Sequence, residues 1–247
     1  MSRWKAAGLH LSISIFIGLV TAILLFGVWY PPPYYRAAGA DELMLLLVGV
    51  DLAVGPLLTL IVFRPGKWGL RFDLVAIGLL QTAALIYGMG VVLVSRPVFL
   101  VAVPDRFVLV AANEISDADL AQGGEPSFRS RSWTGPRLVA AQLPTDLKER
   151  NDLVFSGFAG RDLQNLPKYY CDYGKTASQL LANAQPLESL RKKKPESGPV
   201  IAHWLGKTGR EAGSVAWLPL SARKNDMVVL IDARDASMLQ VLPIDPW

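Results

Sequence analysis

Three long apolar stretches, at residues 9–30, 43–63 and 72–95, constrain this chain more than any other feature. Each reaches the roughly 20 residues that an α-helix needs to cross about 30 Å of hydrocarbon. They crowd into one end of a 247-residue chain, which raises the whole to 51% apolar with a mean hydropathy of +0.31. After residue 96 the pattern changes to short mixed runs. The expected fold class is a membrane protein, with three N-terminal transmembrane α-helices (1–96) followed by a small α+β extracytoplasmic domain (97–247).

The second stretch carries an apparent contradiction, an aspartate at Asp51 and a Gly-Pro pair at Gly55 and Pro56. A carboxylate at the centre of an inserted helix costs roughly 2.5–3.5 kcal/mol, while each Leu, Ile, Val or Phe returns about 0.3–0.6 kcal/mol. Fourteen such residues lie between Leu43 and Phe63, on the order of 6 kcal/mol in favour of insertion. The helix still inserts, and Asp51 calls for a role. At a spacing of four, Asp51, Gly55 and Thr59 share one helix face, with Gly49 and Ala53 as a pair of small residues nearby. In the third stretch Gln81, Ala84 and Gly88 share a face, with Gln81 at the depth of Asp51. A hairpin of the two helices predicts an Asp51–Gln81 hydrogen bond that holds the bundle, while Pro56 frees the Leu52 carbonyl and kinks its helix. The other use of Asp51, Gly55, Pro56, Thr59, Gln81 and Gly88 is to dock a helix of another protein. A proton or ion path is the least favoured use.

The first stretch admits a reading as a cleaved secretory signal, because Arg3 and Lys5 form a basic start and "AGA" at residues 38–40 resembles a cleavage site. Its apolar core exceeds the roughly 7–15 residues of such signals, and "WYPPPYY" intervenes, which favours a retained helix. Arg3, Lys5, Arg64, Lys67 and Arg71 flank one side of the three stretches, against Arg36, Arg96 and Arg106 on the other. That imbalance puts the N-terminus and the second loop in the cytoplasm and the C-terminal domain outside. In a two-membrane bacterium, a multi-pass chain of this topology would place its C-terminal domain in the periplasm.

The net charge of +4 and pI near 9.2 do not argue for nucleic acid, since several basic residues already set the topology. "RKKK" at residues 191–194 reads as a solvated loop or helix end, with anionic head groups as the alternative partner. The lone Cys171 has no partner for an internal disulfide and reads as a small, semi-buried residue.

In the C-terminal part, "PVFLVAV" and "RFVLVAA" predict strands separated at Pro104-Asp105. Ser116 caps a short helix, "PRLVAAQL" is a further strand, and "TDLKERNDLVFSGF" is helical with Leu147, Val154 and Phe158 on one side. "ASQLLANAQPLESL" predicts helix broken at Pro186, and "SVAWLPL", "MVVLIDA" and "SMLQVL" predict a strand meander. No repeat or low-complexity segment appears.

Catalytic chemistry has no visible constellation. His10 and His203 are far apart in sequence and lack the companions of a zinc site. No nucleophile elbow, phosphate loop or dinucleotide fingerprint occurs. Asp105, Asp162, Asp172 and Asp226 sit beside Gly, Pro or Asn, where turn-making is the commoner role. The expectation is a protein that is not an enzyme, without cofactor, metal or identified small-molecule substrate.

In order along the chain, "YPPPYY", "VDLAVGPLLTLIVF", "FDLVAIGLLQTAALIYG", "RPVFLVAVPDRFVLVAANEI", "GPRLVAAQLP", "GRDLQNLPKYY", "WLPLSARKNDMVVLID" and the terminal "PW" resemble the TfpX/TfpZ family of type IV pilin accessory proteins. The resemblance covers nearly the whole chain. It implies an inner-membrane, non-enzymatic helper of fimbrial biogenesis, a chaperone or modulator of type IV pilin or the pilus assembly machinery. It brings no catalytic residue; Asp51, Gly55, Pro56, Asp73 and Gln81 match the membrane motif. From the residues alone, a membrane-anchored extracytoplasmic ligand-binding sensor module is the alternative, although the cytoplasmic segments are short loops with no output domain. A membrane-bound hydrolase or transferase lacks its polar cluster, and a transporter of three helices would have to oligomerise.

Overall fold

The computed structural model describes residues 1–158 and 160–247, with no description of the Phe158 side chain. Helix α1 (Arg3–Leu24) starts at Ser2, whose hydroxyl accepts the Lys5 N–H at 3.3 Å, and continues as a π-helical turn over Leu25–Trp29. The proline run that follows cannot extend it. A single turn, α2 (Tyr34–Ala38), leads into α3 (Ala40–Val62), whose first turn carries Asp41 and Glu42 at the positive end of the helix dipole. A turn through Gly66 and Gly69 reverses the chain into α4 (Leu70–Ser95).

α1 with its π turn, α3 and α4 are each long and apolar enough to cross a membrane. α3 packs against both of the others. The outward faces are apolar as well: Phe16, Leu45 and Ile86 are 68%, 76% and 67% exposed. At one end of the bundle Leu25, Trp29, Tyr30, Ala40 and Val92 form a buried cluster, and the Tyr30 hydroxyl donates to the Val92 carbonyl at 2.8 Å.

The remainder is a mixed α/β domain built on one sheet. Strands β1 (Pro97–Val103) and β2 (Arg106–Ala111) form the predicted antiparallel pair, and α5 (Asp117–Leu120) is capped by Ser116 as expected. β3 (Arg137–Ala141) lies parallel to β1, α6 (Leu147–Phe158) follows, and β4 (Tyr170–Cys171) pairs with β3. α7 (Ala177–Asn183), the two-residue β5 (Gln185–Pro186), α8 (Leu187–Lys193) and α9 (Gly198–Thr208) precede the meander β6 (Val215–Ser221), β7 (Met227–Asp232) and β8 (Met238–Leu242). The order across the sheet is β4-β3-β1-β2-β6-β7-β8, with β5 alongside β6.

Both faces of this sheet are covered, so β1 and β7 are buried at every position. Leu100 and Ala102 join one core with Phe107, Leu218 and Val229, while Phe99, Val101 and Val103 join another with Ile115, Phe128 and Tyr170. A third core gathers Leu187, Leu190, Ile201 and Trp204 over Trp217 and Leu230.

Several expectations are refined or corrected in this part. The helix is interrupted at Pro186 as expected, and the interruption is a two-residue strand in which Gln185 and Pro186 pair with Trp217 and Ala216. The side of α6 carrying Leu147 and Val154 faces outward, and the helix packs through Leu153; the side chain of Phe158 lies outside the described residues. Strand β4 was not expected, since two residues show no period; α9 was missed although Ile201, Trp204 and Leu205 fall at helical spacing and pack on the third core.

Ala37 of α2 is fully buried in the first sheet core, although it lies between two of the long helices in sequence. Its carbonyl accepts the Lys224 and Asn225 N–H groups at 3.0 and 3.2 Å. The Asn225 side chain donates to the Arg36 carbonyl at 2.8 Å, and Lys224 pairs with Glu42 at 3.0 Å. The β6–β7 turn is thereby clamped to the end of the bundle.

Candidate functional site

Four polar residues of the long helices, Asp51, Thr59, Gln81 and His10, meet in one hydrogen-bonded chain. Gln81 of α4 reaches α3, where its Nε2 donates to the Asp51 carbonyl at 3.2 Å and to Asp51 Oδ1 at 3.4 Å. Its Oε1 lies 2.7 Å from His10 Nε2, and His10 Nδ1 lies 2.6 Å from Thr59 Oγ1. A carboxamide oxygen only accepts, so Nε2 of the imidazole carries the proton and donates. In the neutral ring Nδ1 then accepts from the Thr59 hydroxyl. With that tautomer, donation runs one way, from Thr59 through His10 and Gln81 to Asp51.

The predicted Asp51–Gln81 contact is therefore present, and Gly55 explains how it forms. A Cβ on Gly55 would meet the carboxamide of Gln81, so a larger residue would push Gln81 out of its contact with α3. Thr59, one turn further, is 2% exposed under His10. Gly88 admits Leu47 in the same way nearer the other end of α4. Pro56 sits inside α3, which continues as α-helix from Ala40 to Val62.

Two features differ from the sequence reading. His10, read there only as a histidine without metal companions, is the centre of the network. Its depth was the available signal, because His10 on an ascending helix and Thr59 on a descending one lie near the same end of the bundle. The small residues that let helices approach are also elsewhere. Gly49 has open space around its Cα, and Ala53 is exposed. The close seam is on α1, where Ser14, Gly18 and Thr21 are buried and a Cβ on Gly18 would stand 2.8 Å from Val48.

Asp51 is half-buried and borders two grooves. One, of about 270 Å³ between α3 and α4, is lined by Leu43, Leu46, Leu47, Val50 and Val91. The other, of about 150 Å³ between α1 and α4, is lined by His10, Ser14, Gln81 and Thr82.

In the α/β domain the most strongly held carboxylate is Asp232, at the end of β7. It accepts from Arg234 Nε and Nη2 at 3.1 and 3.2 Å, from the Arg234 backbone N–H at 3.0 Å and from Arg210 at 2.8 Å. These bonds hold its carboxyl well below the usual carboxylate range, Arg234 contributing most. Arg234 lies in the β7–β8 turn and Arg210 in the segment between α9 and β6, so Asp232 ties these two segments together. "RKKK" is the basic end of α8, where Arg191 pairs with Glu188 and Lys193 donates to the Pro246 carbonyl at 2.6 Å. Cys171 is half-buried in β4, and burial pushes its thiol upward.

A family model of the fimbrial assembly protein FimB matches residues 1–39, the segment that holds α1, His10 and Ala37. A fimbrial assembly protein of serogroup I from Dichelobacter nodosus is 31% identical over 247 residues, covering 98% of this chain and 95% of that relative. The chain belongs to the fimbrial assembly protein family. A serogroup E1 protein of the same organism is likewise 31% identical over 98% of the chain. The serogroup C1 and C2 protein is 35% identical over 120 residues, 48% of this family member and 92% of the relative. No solved structure matches.

Proposed function

We propose that this chain is a non-enzymatic accessory protein of fimbrial assembly, with α1, α3 and α4 spanning the bacterial inner membrane. In this reading the N-terminus is cytoplasmic, the α/β domain is periplasmic, and the bundle acts as a chaperone or modulator of type IV pilin, as the TfpX/TfpZ resemblance implies. The observation that carries the reading is the similarity to a fimbrial assembly protein along 98% of the chain, helices and domain alike. The groove between α3 and α4 then offers a seat for a single membrane helix of a pilin subunit, with Asp51 as its polar contact. Because Gln81 already engages Asp51 Oδ1, the role of Asp51 as internal support and its role as contact are carried by one side chain.

The test combines topology, capture and piliation in a piliated host. Reporters fused after Gly66 and after Val110 should read inside and outside. A photocrosslinker at Leu46 or Val50, both exposed in the groove, should capture pilin, whereas one at Val75, exposed but outside it, should not. Asp51→Asn retains the hydrogen bonds and removes the charge; normal abundance with reduced pilin capture supports a charge-dependent contact. Unchanged surface piliation after deletion of the whole gene overturns the reading.

A further inference from the structure

Where the α/β domain meets the bundle, it carries a polar pocket of about 470 Å³ lined by Asn113, Glu114, Gln164, Asn165, Ser221 and Arg223. That volume lies within the roughly 300–1,000 Å³ usual for small-molecule clefts. Its depth is fixed by neighbours. Arg223 and Glu114 also border a narrow crevice with Ser95, the last residue of α4, and Ala38, the last of α2. Arg223 directly precedes Lys224 and Asn225, whose N–H groups are bonded to Ala37.

The other cations at this end are engaged. Arg96 donates to the Leu93 and Ser132 carbonyls and lies 4.7 Å from the centre of the Trp133 ring, and Lys224 pairs with Glu42. Arg223 is exposed and has no ion pair among the described residues. Glu114 uses Oε2 to accept the Ala111 N–H at 2.8 Å and likewise has no cationic partner among the described residues. One pocket thus presents a guanidinium, a carboxylate that is not paired with it, and neutral donors from Asn113, Gln164, Asn165 and Ser221.

We propose that this pocket binds a phosphoethanolamine headgroup of a membrane lipid, with Arg223 on the phosphate and Glu114 accepting from the primary ammonium. A guanidinium matches a phosphate bidentately, and a carboxylate beside it disfavours a purely anionic headgroup while favouring one that ends in N–H donors. The proposal rests on the membrane insertion of α1, α3 and α4 put forward above, because insertion sets the pocket at headgroup depth. It adds to that reading a lipid that anchors the domain against the bilayer and fixes its orientation over the bundle.

The test uses the full-length protein in detergent, with short-chain phosphatidylethanolamine, phosphatidylglycerol or phosphatidylcholine added and retention read by native mass spectrometry. The wild type should retain phosphatidylethanolamine about tenfold better than phosphatidylcholine, whose quaternary ammonium donates no hydrogen bond. Arg223→Ala should lose about tenfold for every phospholipid, with Arg223→Lys intermediate. Glu114→Gln, which still accepts the Ala111 N–H, should keep retention but lose the preference for ethanolamine. Equal retention of the three lipids by the wild type, or unchanged retention by Arg223→Ala, overturns the proposal. Soluble glycerophosphoethanolamine binding as tightly as the lipid would reassign the pocket to a free ligand and overturn the lipid assignment. Alkaline extraction of host membranes separates the two readings. A chain that washes out overturns both, whereas a chain that resists extraction without headgroup preference overturns only the pocket.

Discussion

Thr59, His10, Gln81 and Asp51 come from three helices and are joined in one hydrogen-bonded chain. Breaking the middle of such a chain strands groups on both sides, so Gln81→Leu removes the acceptor of His10 and the donor to Asp51 together. Hydrogen bonds between membrane helices are worth about 0.6 kcal/mol on average and up to about 1.7 kcal/mol. Gln81→Leu should therefore destabilise the bundle by about 1–3 kcal/mol in mixed-micelle unfolding. Gly55→Ala should give a similar loss with Gln81 intact, because the added methyl occupies the slot of the carboxamide. Unfolding curves that coincide with wild type for both variants would contradict the network. Asp232 supplies a pH-dependent counterpart in the domain. Its carboxyl is held below the ordinary value by Arg234 and Arg210, so its contribution is fully present above the unfolded value near pH 4. It is lost as pH falls through the depressed folded value. Domain melting followed from about pH 5 down to about pH 2 should fall more steeply in wild type than in Asp232→Asn, and parallel curves would contradict the assignment.

Among the elements, the strands of the sheet were legible because both faces are covered, which turns "PVFLVAV" and "MVVLID" into continuous apolar runs instead of alternating ones. α5 was legible from Ser116, whose hydroxyl accepts the Asp119 N–H at 3.1 Å. β4 and β5 were not, since two residues carry no period and pair only because a longer strand is presented to them. α2 shows the same dependence more strongly. Its five residues are too few to be stable as a helix alone, and they are held by burying Ala37 against the sheet. Ala37→Leu should overpack that core and lower the stability of the α/β domain by about 1–3 kcal/mol, although residue 37 belongs to a connector between long helices. Near-UV circular dichroism melting of the full-length protein checks this, and an unchanged melt would mean that α2 does not support the sheet.

At the scale of the whole molecule, the bundle and the domain are joined by Ala37, Asn225 and the Lys224–Glu42 pair as well as by the chain itself. The three apolar stretches determined by themselves that long helices come first, because hydrophobicity over about 20 residues is a local sum that needs no partner. Apolar runs and turn residues likewise determined most strands of a mixed α/β domain, and depth along antiparallel helices placed Gln81 beside Asp51. The tertiary structure decided the rest. His10 joined the network only when α1 packed on α3, the small-residue seam fell on Gly18 instead of Gly49 and Ala53, and α2 entered the core of a domain that begins some sixty residues later in sequence. Each of these depends on which faces meet across distant segments, and the small residues of one helix do not by themselves say which neighbour will close on them.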